Sequence, residues 1–271
     1  VPVANNADAR KGADPPYQME AVKNLLSDNC HCVITGGAGS IGLATARLLR
    51  ANGARVFLVD RDAAALAAVA EDGMGWCAAD VSSAEDTARY VAQACALFGP
   101  IDVLFANAGI AGVVSPVAHY PDDVFDEVMA VSVRGSFLAA KHAVPVMRDG
   151  GSIIFMSSVM GLTADPGVAA YATAKHAVVG LMRVLAKELA PRGIRVNSIH
   201  PGPVDNRFQS EIEAALTPIL GVDGTEFLNR AIPLGRHARA EEIAQTVLYL
   251  ASAMSSFVTG ATLPVDGGMA V

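Results

Sequence analysis

At 271 residues, with 52% hydrophobic content and a formal charge of −7, the chain has length and apolar material for one large α/β domain or two small ones. The acidic balance argues against a nucleic-acid protein, whose footprint should be basic. No run of 18 or more apolar residues offers a membrane span.

The first stretch, "VPVANNADARKGADPPYQ", is polar and proline-containing, without the basic start and apolar middle of a signal peptide. Residues 1–28 are therefore expected to form an extension, with "MEAVKNLLSDN" a short helix or a loop. Residues 29–271 are expected to form a single domain. Cys30 and Cys32 flank His31 at the start of an apolar run, and their thiols are expected to diverge. With Cys77 and Cys95 they read as core residues in a reducing cytoplasm rather than a metal site.

Short β-branched runs then alternate with longer Ala/Leu-rich segments of helical period. "HCVITGG" reads as a strand and "SIGLATARLLRANG" as a helix closed by Gly53. "ARVFLVD" is a strand ending at Asp60, followed by a helix in "AAALAAVAEDG". "GWCAADV" is a third strand, "EDTARYVAQACALFG" a helix and "IDVLFANAG" a fourth strand. A long helix is expected over 122–148, then a fifth strand in "SIIFMSS". "YATAKHAVVGLMRVLAKELAPRG" is a helix ended by Pro191 and Gly193, and "IRVNSIHPG" a sixth strand. "AEEIAQTVLYLAS" is a helix and "ATLPVDGG" a last short strand. Near-continuous apolar strands are those buried on both faces, and this alternation predicts one doubly wound, Rossmann-type α/β domain with about seven parallel strands. The least regular stretch, 203–235, is expected to hold two short helices or a mobile lid over substrate.

Three features carry chemistry. "TGGAGSIG" follows the first strand and opens a helix, where glycines allow a tight turn and the helix N-terminus offers N–H groups to a pyrophosphate. Asp60, 18 residues after Gly42, can accept from an adenosine ribose and would repel a 2′-phosphate, favouring NAD over NADP. Arg61 is the contrary signal, since a guanidinium there could grip that phosphate. Finally, Tyr171 and Lys175 stand four apart on one helix face, where an ammonium is expected to lower the phenol's pKa and make it a usable acid/base. Ser158, 13 residues before Tyr171, is placed to meet the same substrate oxygen.

Together with Thr35-Gly36, Asp60, "NAG" (107–109) and "PGPV" (201–204), these motifs resemble the short-chain dehydrogenase/reductase family over residues 29–271. The resemblance implies that Tyr171 is the general acid/base, that Lys175 tunes it and holds the nicotinamide ribose, and that Ser158, rather than Ser157, polarises the substrate oxygen. It implies cofactor contacts from Gly36, Gly39, Ser40, Ile41 and Gly42. Asp60, Arg61, Asp80, Val81, Asn107, Ala108 and Gly109 join them, as do Pro201, Gly202 and Val204. Two positions depart from the family pattern. Ser132 stands where asparagine is usual, which puts the lysine's proton relay in question, and Asn206 replaces a threonine that contacts the carboxamide. Ser40 fills a usual glycine slot, a cost only if that position needs positive φ.

The implied activity is NAD-dependent hydride transfer between a nicotinamide and a secondary alcohol or ketone. The candidate cleft residues Val159 and Met160, "TADPGVA" and 203–235 are mostly apolar, which points to a small or medium hydrophobic substrate. His200 and Arg207 read as packing or surface residues, and Met147, Met156, Met160 and Met182 as core filler. A homotetramer is implied by the family and fits helices around 122–148 and 171–190 that are apolar on more than one side. The alternatives are an extended-type sugar-nucleotide epimerase or dehydratase, against which stand only 96 residues after Lys175, and a non-catalytic NAD-binding regulator.

Overall fold

The computed structural model describes residues 25–27 and 29–271. The expectations for 1–24 and 28 lie outside these residues. Leu26, just ahead of the expected domain start, is buried in the core.

Seven strands form one parallel sheet in the order β3-β2-β1-β4-β5-β6-β7. They are β1 (His31–Thr35), β2 (Arg55–Asp60), β3 (Gly75–Ala78), β4 (Ile101–Ala106), β5 (Met147–Met156), β6 (Arg195–Pro201) and β7 (Thr262–Val265). Every residue of β1 is buried, and its neighbours explain the continuous apolar run. Val33 packs into one core layer with Tyr90, Ala139, Val178 and Met182. Cys32 and Ile34 pack into the other with Leu49, Ile243 and Val247, because successive strand residues face opposite sides. The first layer is covered by α3 (Ala84–Phe98), α5 (Gly135–Ala143) and α6 (Ala169–Glu188). The second is covered by α1 (Ser40–Ala51), α2 (Ala63–Val69) and α9 (Ala240–Ala251).

The same geometry corrects the cysteine expectation. Residues two apart on an extended chain share a face, so Cys30 and Cys32 converge, with their sulfurs 3.8 Å apart. Both thiols are buried.

The expected helix over 122–148 is broken. It consists of α4 (Asp122–Val128), a π-helical turn over Met129–Arg134, and α5. A 3₁₀ turn, Val144–Val146, carries Pro145 at its start, where the missing N–H and fixed φ suit a helix start and not its interior. The chain then extends, and β5 begins at Met147, five residues before the expected "SIIFMSS". Helix α6 ends as expected, through a 3₁₀ turn at Ala190–Arg192 and Gly193 in the left-handed region. The irregular 203–235 segment holds two helices, α7 (Arg207–Leu220) and α8 (Gly224–Ala231). Among the described residues, no helix is long and apolar enough to cross a membrane.

The topology fixes where a ligand can sit. From β1 the chain moves outward to β2 and β3, then crosses back to β4 on the other side of β1. Loops leaving β1 and β4 therefore diverge and open a crevice at the carboxyl ends of these strands. Thr35 pairs in register with Ala106 at its base.

Candidate functional site

On one side of that crevice the site is made mainly of backbone. Gly36 turns the chain at φ +65°, and a Cβ there would stand 2.8 Å from Asn107 Nδ2. A Cβ on Gly42 would lie 2.3 Å from the Gly36 carbonyl oxygen, so the first turn of α1 is packed directly on the loop. Gly39 caps α1 with no side-chain acceptor, and the first turn carries no acidic residue. Its N–H groups and the positive dipole end are thus left for an outside anion. Ser40 is the first helical residue, and Asn29 is the sole non-glycine with positive φ among the described residues. The serine is unstrained in the glycine slot. Ile41 follows it and packs on the core.

Thr35 ties the two diverging loops together. Its buried hydroxyl accepts from the N–H groups of Asn107 (3.0 Å) and Ala108 (3.1 Å). Asn107 Nδ2 donates in return to the carbonyls of Thr35 (3.0 Å) and Gly36 (3.1 Å). Asp60 reaches the rim of the same loop, its Oδ2 accepting from the Ala38 N–H at 3.1 Å. Arg61 beside it is exposed. Beyond β3, Asp80 is exposed and accepts from the Ser82 N–H and hydroxyl. Val81 is buried against Gly135, where a Cβ would meet it at 2.9 Å.

The other side is made of side chains. The β5–β6 ladder runs to Ser157, whose N–H donates to the Ile199 carbonyl at 2.9 Å. Ser157 and Ser158 then part. The Ser157 hydroxyl donates to the Lys175 carbonyl at 3.0 Å, a structural tie to α6. The Ser158 hydroxyl lies close enough to the Tyr171 phenol to lower its pKa by hydrogen bonding, and its Oγ accepts from the Met160 N–H at 3.2 Å. Lys175 is buried, donates to the Met156 carbonyl at 2.9 Å, and places Nζ 5.4 Å from the centre of the Tyr171 ring. Gly109 fits into this corner, since a Cβ there would stand 3.3 Å from Lys175 Nζ and 3.4 Å from Ser132 Oγ. The structure therefore brings Ser158, Tyr171, Lys175, Ser132 and Gly109 together.

The electrostatics differ from the simple Tyr–Lys picture. Burial pushes the Tyr171 phenol above its ordinary value, and the Ser158 hydrogen bond pulls it back down. Burial lowers Lys175 to about 8. Desolvation, which penalises the charged form of each group, outweighs the expected lowering of the phenol by the ammonium. Ser132 lies in the π-helical turn, with its carbonyl accepting from the Ser136 hydroxyl at 2.7 Å. Its own buried Oγ has no hydrogen-bond partner among the described residues.

The segment after β6 borders both halves. The Gly202 N–H donates to the Val265 carbonyl at 3.2 Å, and a Cβ on Gly202 would lie 3.0 Å from Asp266 Cα, so Pro201-Gly202 is held closely to the end of β7. Val204 is buried and bridges to Ala238. Asn206 caps α7, accepting from the Gln209 N–H at 2.9 Å. Its oxygen is thereby committed, and only its amide NH₂ remains for the expected carboxamide contact. From α7, Phe208 brings its ring to 6.3 Å from that of Tyr171, whereas Arg207 turns outward to Glu211 at 2.7 Å. A polar cavity of about 400 Å³ lies under α7 and α8, lined by residues including Asn206, Glu213 and His237. There the buried Glu213 faces His237 Nε2 at 2.5 Å and accepts from Gln209 and Thr225.

Sequence reasoning missed two participants. Thr35 was visible only as the start of the glycine motif, although its hydroxyl joins β1 to the "NAG" loop. His200 read as packing, yet its Nδ1 lies 2.8 Å from the Ser158 carbonyl. The available signal was a histidine two residues after Ser198 on the same strand, directly before Pro201-Gly202.

Residues 36–270 match the family model described as enoyl-(acyl carrier protein) reductase. A 2,5-dichloro-2,5-cyclohexadiene-1,4-diol dehydrogenase of Sphingobium indicum is 38% identical over 242 residues, covering 87% of this chain and 95% of the relative. The crystal structure of levodione reductase superposes with a TM-score of 0.84 at 34% identity, over 90% of this chain and 99% of that one. A 3-ketoacyl-(acyl-carrier-protein) reductase from Brucella melitensis, complexed with NADH, superposes with a TM-score of 0.82 at 29% identity, over 92% of this chain and 100% of the other.

Proposed function

The chain belongs to the short-chain dehydrogenase/reductase family, an oxidoreductase family, and on that premise we propose that it is an NAD(H)-dependent dehydrogenase or ketoreductase for small to medium, mainly hydrophobic secondary alcohols and ketones. The observation that carries this reading is the convergence of the Ser158 hydroxyl, the Tyr171 phenol and the buried Lys175 beside the glycine loop.

A dinucleotide fits the residues present. The Gly36 turn and the Gly36–Gly42 contact leave no room for side chains where a pyrophosphate would lie, and the uncapped N-terminus of α1 favours negative charge. Asp60 at the rim supports NAD over NADP, because a carboxylate accepts from ribose hydroxyls and repels a 2′-phosphate. Gly36, Gly39, Ser40, Ile41 and Gly42 would hold the pyrophosphate side. Asp60, Arg61, Asp80 and Val81 would border the adenosine, and Asn107, Ala108, Gly109, Pro201, Gly202, Val204 and Asn206 the nicotinamide side. When bound, the nicotinamide supplies or accepts the hydride.

The chain's own groups handle the proton. Tyr171 as the phenol gives its proton to a carbonyl oxygen in reduction; in oxidation its phenolate takes the proton from the alcohol, an ionisation that burial disfavours and the Ser158 hydroxyl favours. Ser158 fixes that oxygen with a second hydrogen bond. Lys175 supplies positive charge under the phenol ring, and the unpaired Ser132 hydroxyl beside it supports a part in returning protons. Val159, Met160 and Phe208 give the cleft apolar walls, and the outward turn of Arg207 fits a substrate without an acidic group. α7 and α8 serve as the lid. Exposed Phe137 on α5 and Val184 on α6 support self-association, as in a homotetramer.

A panel of hydrophobic secondary alcohols and ketones, assayed with NAD(H) and NADP(H) side by side, tests the reading. Turnover is expected with NAD(H). Tyr171→Phe is expected to lower kcat by roughly 10²–10⁴-fold while NADH binding, followed by fluorescence, stays near wild type. Full turnover in that variant would overturn the mechanism. Dinucleotide binding with no turnover across the panel would favour the non-catalytic regulator.

A further inference from the structure

Resting on the reading of Ser158 and Tyr171 above, we propose that His200 is a positioning residue, which holds the Ser158 main chain so that the serine hydroxyl meets the phenol and the substrate oxygen together.

Ser158 needs such a hold because it stands just past the end of a strand. The β5–β6 ladder stops at Ser157, and beyond Ser158 the chain turns into the 3₁₀ turn Val159–Gly161. Ser158 itself is still extended, at φ −164° and ψ 166°. Its carbonyl is gripped from two directions, accepting from the Gly161 N–H at 2.8 Å and from His200 Nδ1 at 2.8 Å. The first bond belongs to the turn and moves with it. The second anchors the turn to β6, which is paired on both sides, with β5 and β7.

The partners of His200 fix its proton. A carbonyl oxygen only accepts, so Nδ1 must carry hydrogen. Nε2 lies 2.9 Å from the Ser198 hydroxyl, two residues away on the same strand face. In a neutral ring Nε2 accepts from that hydroxyl, giving a directed chain from Ser198 through His200 to Ser158. His200 and Ser198 are both fully buried. Burial holds the imidazole below its ordinary pKa; the hydrogen bond to the Ser158 carbonyl acts against this, and the charges of Lys175 and Arg183 act with it. The ring therefore stays a neutral, single-tautomer strut beside the reaction rather than a proton carrier in it.

A small displacement of Ser158 should matter, because misplacing a reacting or positioning group by about 1 Å can cost on the order of 10²-fold in rate. His200→Leu fills similar space without a donor. It is expected to lower kcat by roughly 10–100-fold, to leave NADH binding unchanged, and to shift the phenol-dependent limb of the pH–rate profile upward as the Ser158 hydrogen bond to Tyr171 weakens. His200→Asn, whose Nδ2 can reach the same carbonyl, is expected to recover most of the lost turnover. In a Ser158→Ala background, adding His200→Leu is expected to cost little more. A folded His200→Leu variant with wild-type kcat and pH profile would overturn the proposal. If Ser158→Ala and Tyr171→Phe also retained turnover, the reading of the site itself would fail. Should the leucine variant not fold, ¹⁵N NMR of the wild-type imidazoles decides the point. It is expected to show the His200 ring protonated on Nδ1 alone at neutral pH and titrating only below its ordinary value, and a His200 protonated on Nε2 or titrating near its ordinary value would overturn the assignment.

Discussion

The two sides of the crevice are built from different materials. The dinucleotide side is shaped by backbone: a left-handed turn at Gly36, a helix start at Ser40 pressed onto the Gly36 carbonyl, and a hydroxyl from Thr35 that joins two loops. The catalytic side is shaped by side chains that come from four separate parts of the chain: the turn after β5, the π-helical turn, α6 and β6. A site made of backbone tolerates no added atoms. A site made of side chains has to stabilise each buried polar group separately, and Lys175 shows how incompletely that is done.

The largest effect should come from putting one methyl group on the backbone side. Gly42→Ala would bring Cβ to 2.3 Å from a carbonyl oxygen that cannot swing away. Either α1 or the loop must move, at an overpacking cost of about 1–3 kcal/mol. NADH affinity, measured by fluorescence titration, is expected to fall at least tenfold, with a lower Tm. The signature differs from that of Tyr171→Phe, which should lose turnover and keep binding. Wild-type affinity in Gly42→Ala would mean that the glycine loop is soft, and the contrast between the two sides would collapse.

A subtler test addresses the charge stored on the catalytic side. Burial lowers the Lys175 ammonium to about 8. Below that pH, folded and unfolded chains both carry the proton and the wild type bears the full burial penalty. Between about 8 and the ordinary lysine range the folded chain releases its proton first, so stability rises with pH. Lys175→Met removes the group. Urea unfolding at pH 7 and 10 is expected to show the wild type gaining up to about 3 kcal/mol relative to the variant, while the variant loses turnover at both. Above pH 10 the raised Tyr171 acts in the opposite sense, since the unfolded phenol ionises first. Parallel pH dependence in the two proteins would show that Lys175 is as well solvated folded as unfolded.

The same division of materials explains how much the sequence disclosed. Glycine spacing is a local record of backbone shape, so "TGGAGSIG" and the strand–helix alternation announced the sheet and its crevice directly. Tyr171 and Lys175 were legible because one helix face carries both. The role of His200 was not, because its partner lies 42 residues away on a neighbouring strand and no local pattern records that pairing. The break of the 122–148 helix escaped for a related reason. Weak helix formers such as Val131, Ser132, Val133 and Gly135 lie at the π-helical turn, but propensity does not say whether a helix tightens, widens or stops there, and only Pro145 marked the stop. The Cys30–Cys32 expectation failed on strand geometry itself, which puts residues two apart on one side. The phenol's raised pKa lay out of reach, because desolvation depends on which distant parts of the chain crowd around the partly buried Tyr171.

The smallest effect is expected at Ser40, where the two accounts of the glycine loop separate most finely. If the loop demanded glycine here, replacing the serine would relieve strain and tighten binding. The structure places Ser40 in the first turn of α1, with positive φ confined to Asn29 among the described non-glycine residues. Glycine would then bring no relief and would cost up to about 1 kcal/mol in helix stability. Its N–H would still point toward the same anion, because the helix start sets that direction. Ser40→Gly is therefore expected to keep NADH affinity within about twofold, a window of roughly 0.4 kcal/mol by the affinity relation, with a slightly lower Tm. A larger loss of affinity would assign the hydroxyl a direct bond to the pyrophosphate, adding one side-chain contact to a surface otherwise made of backbone. A clear gain would mean that the serine strains the turn, and the backbone side would then carry a compromise of the kind that Lys175 represents across the crevice.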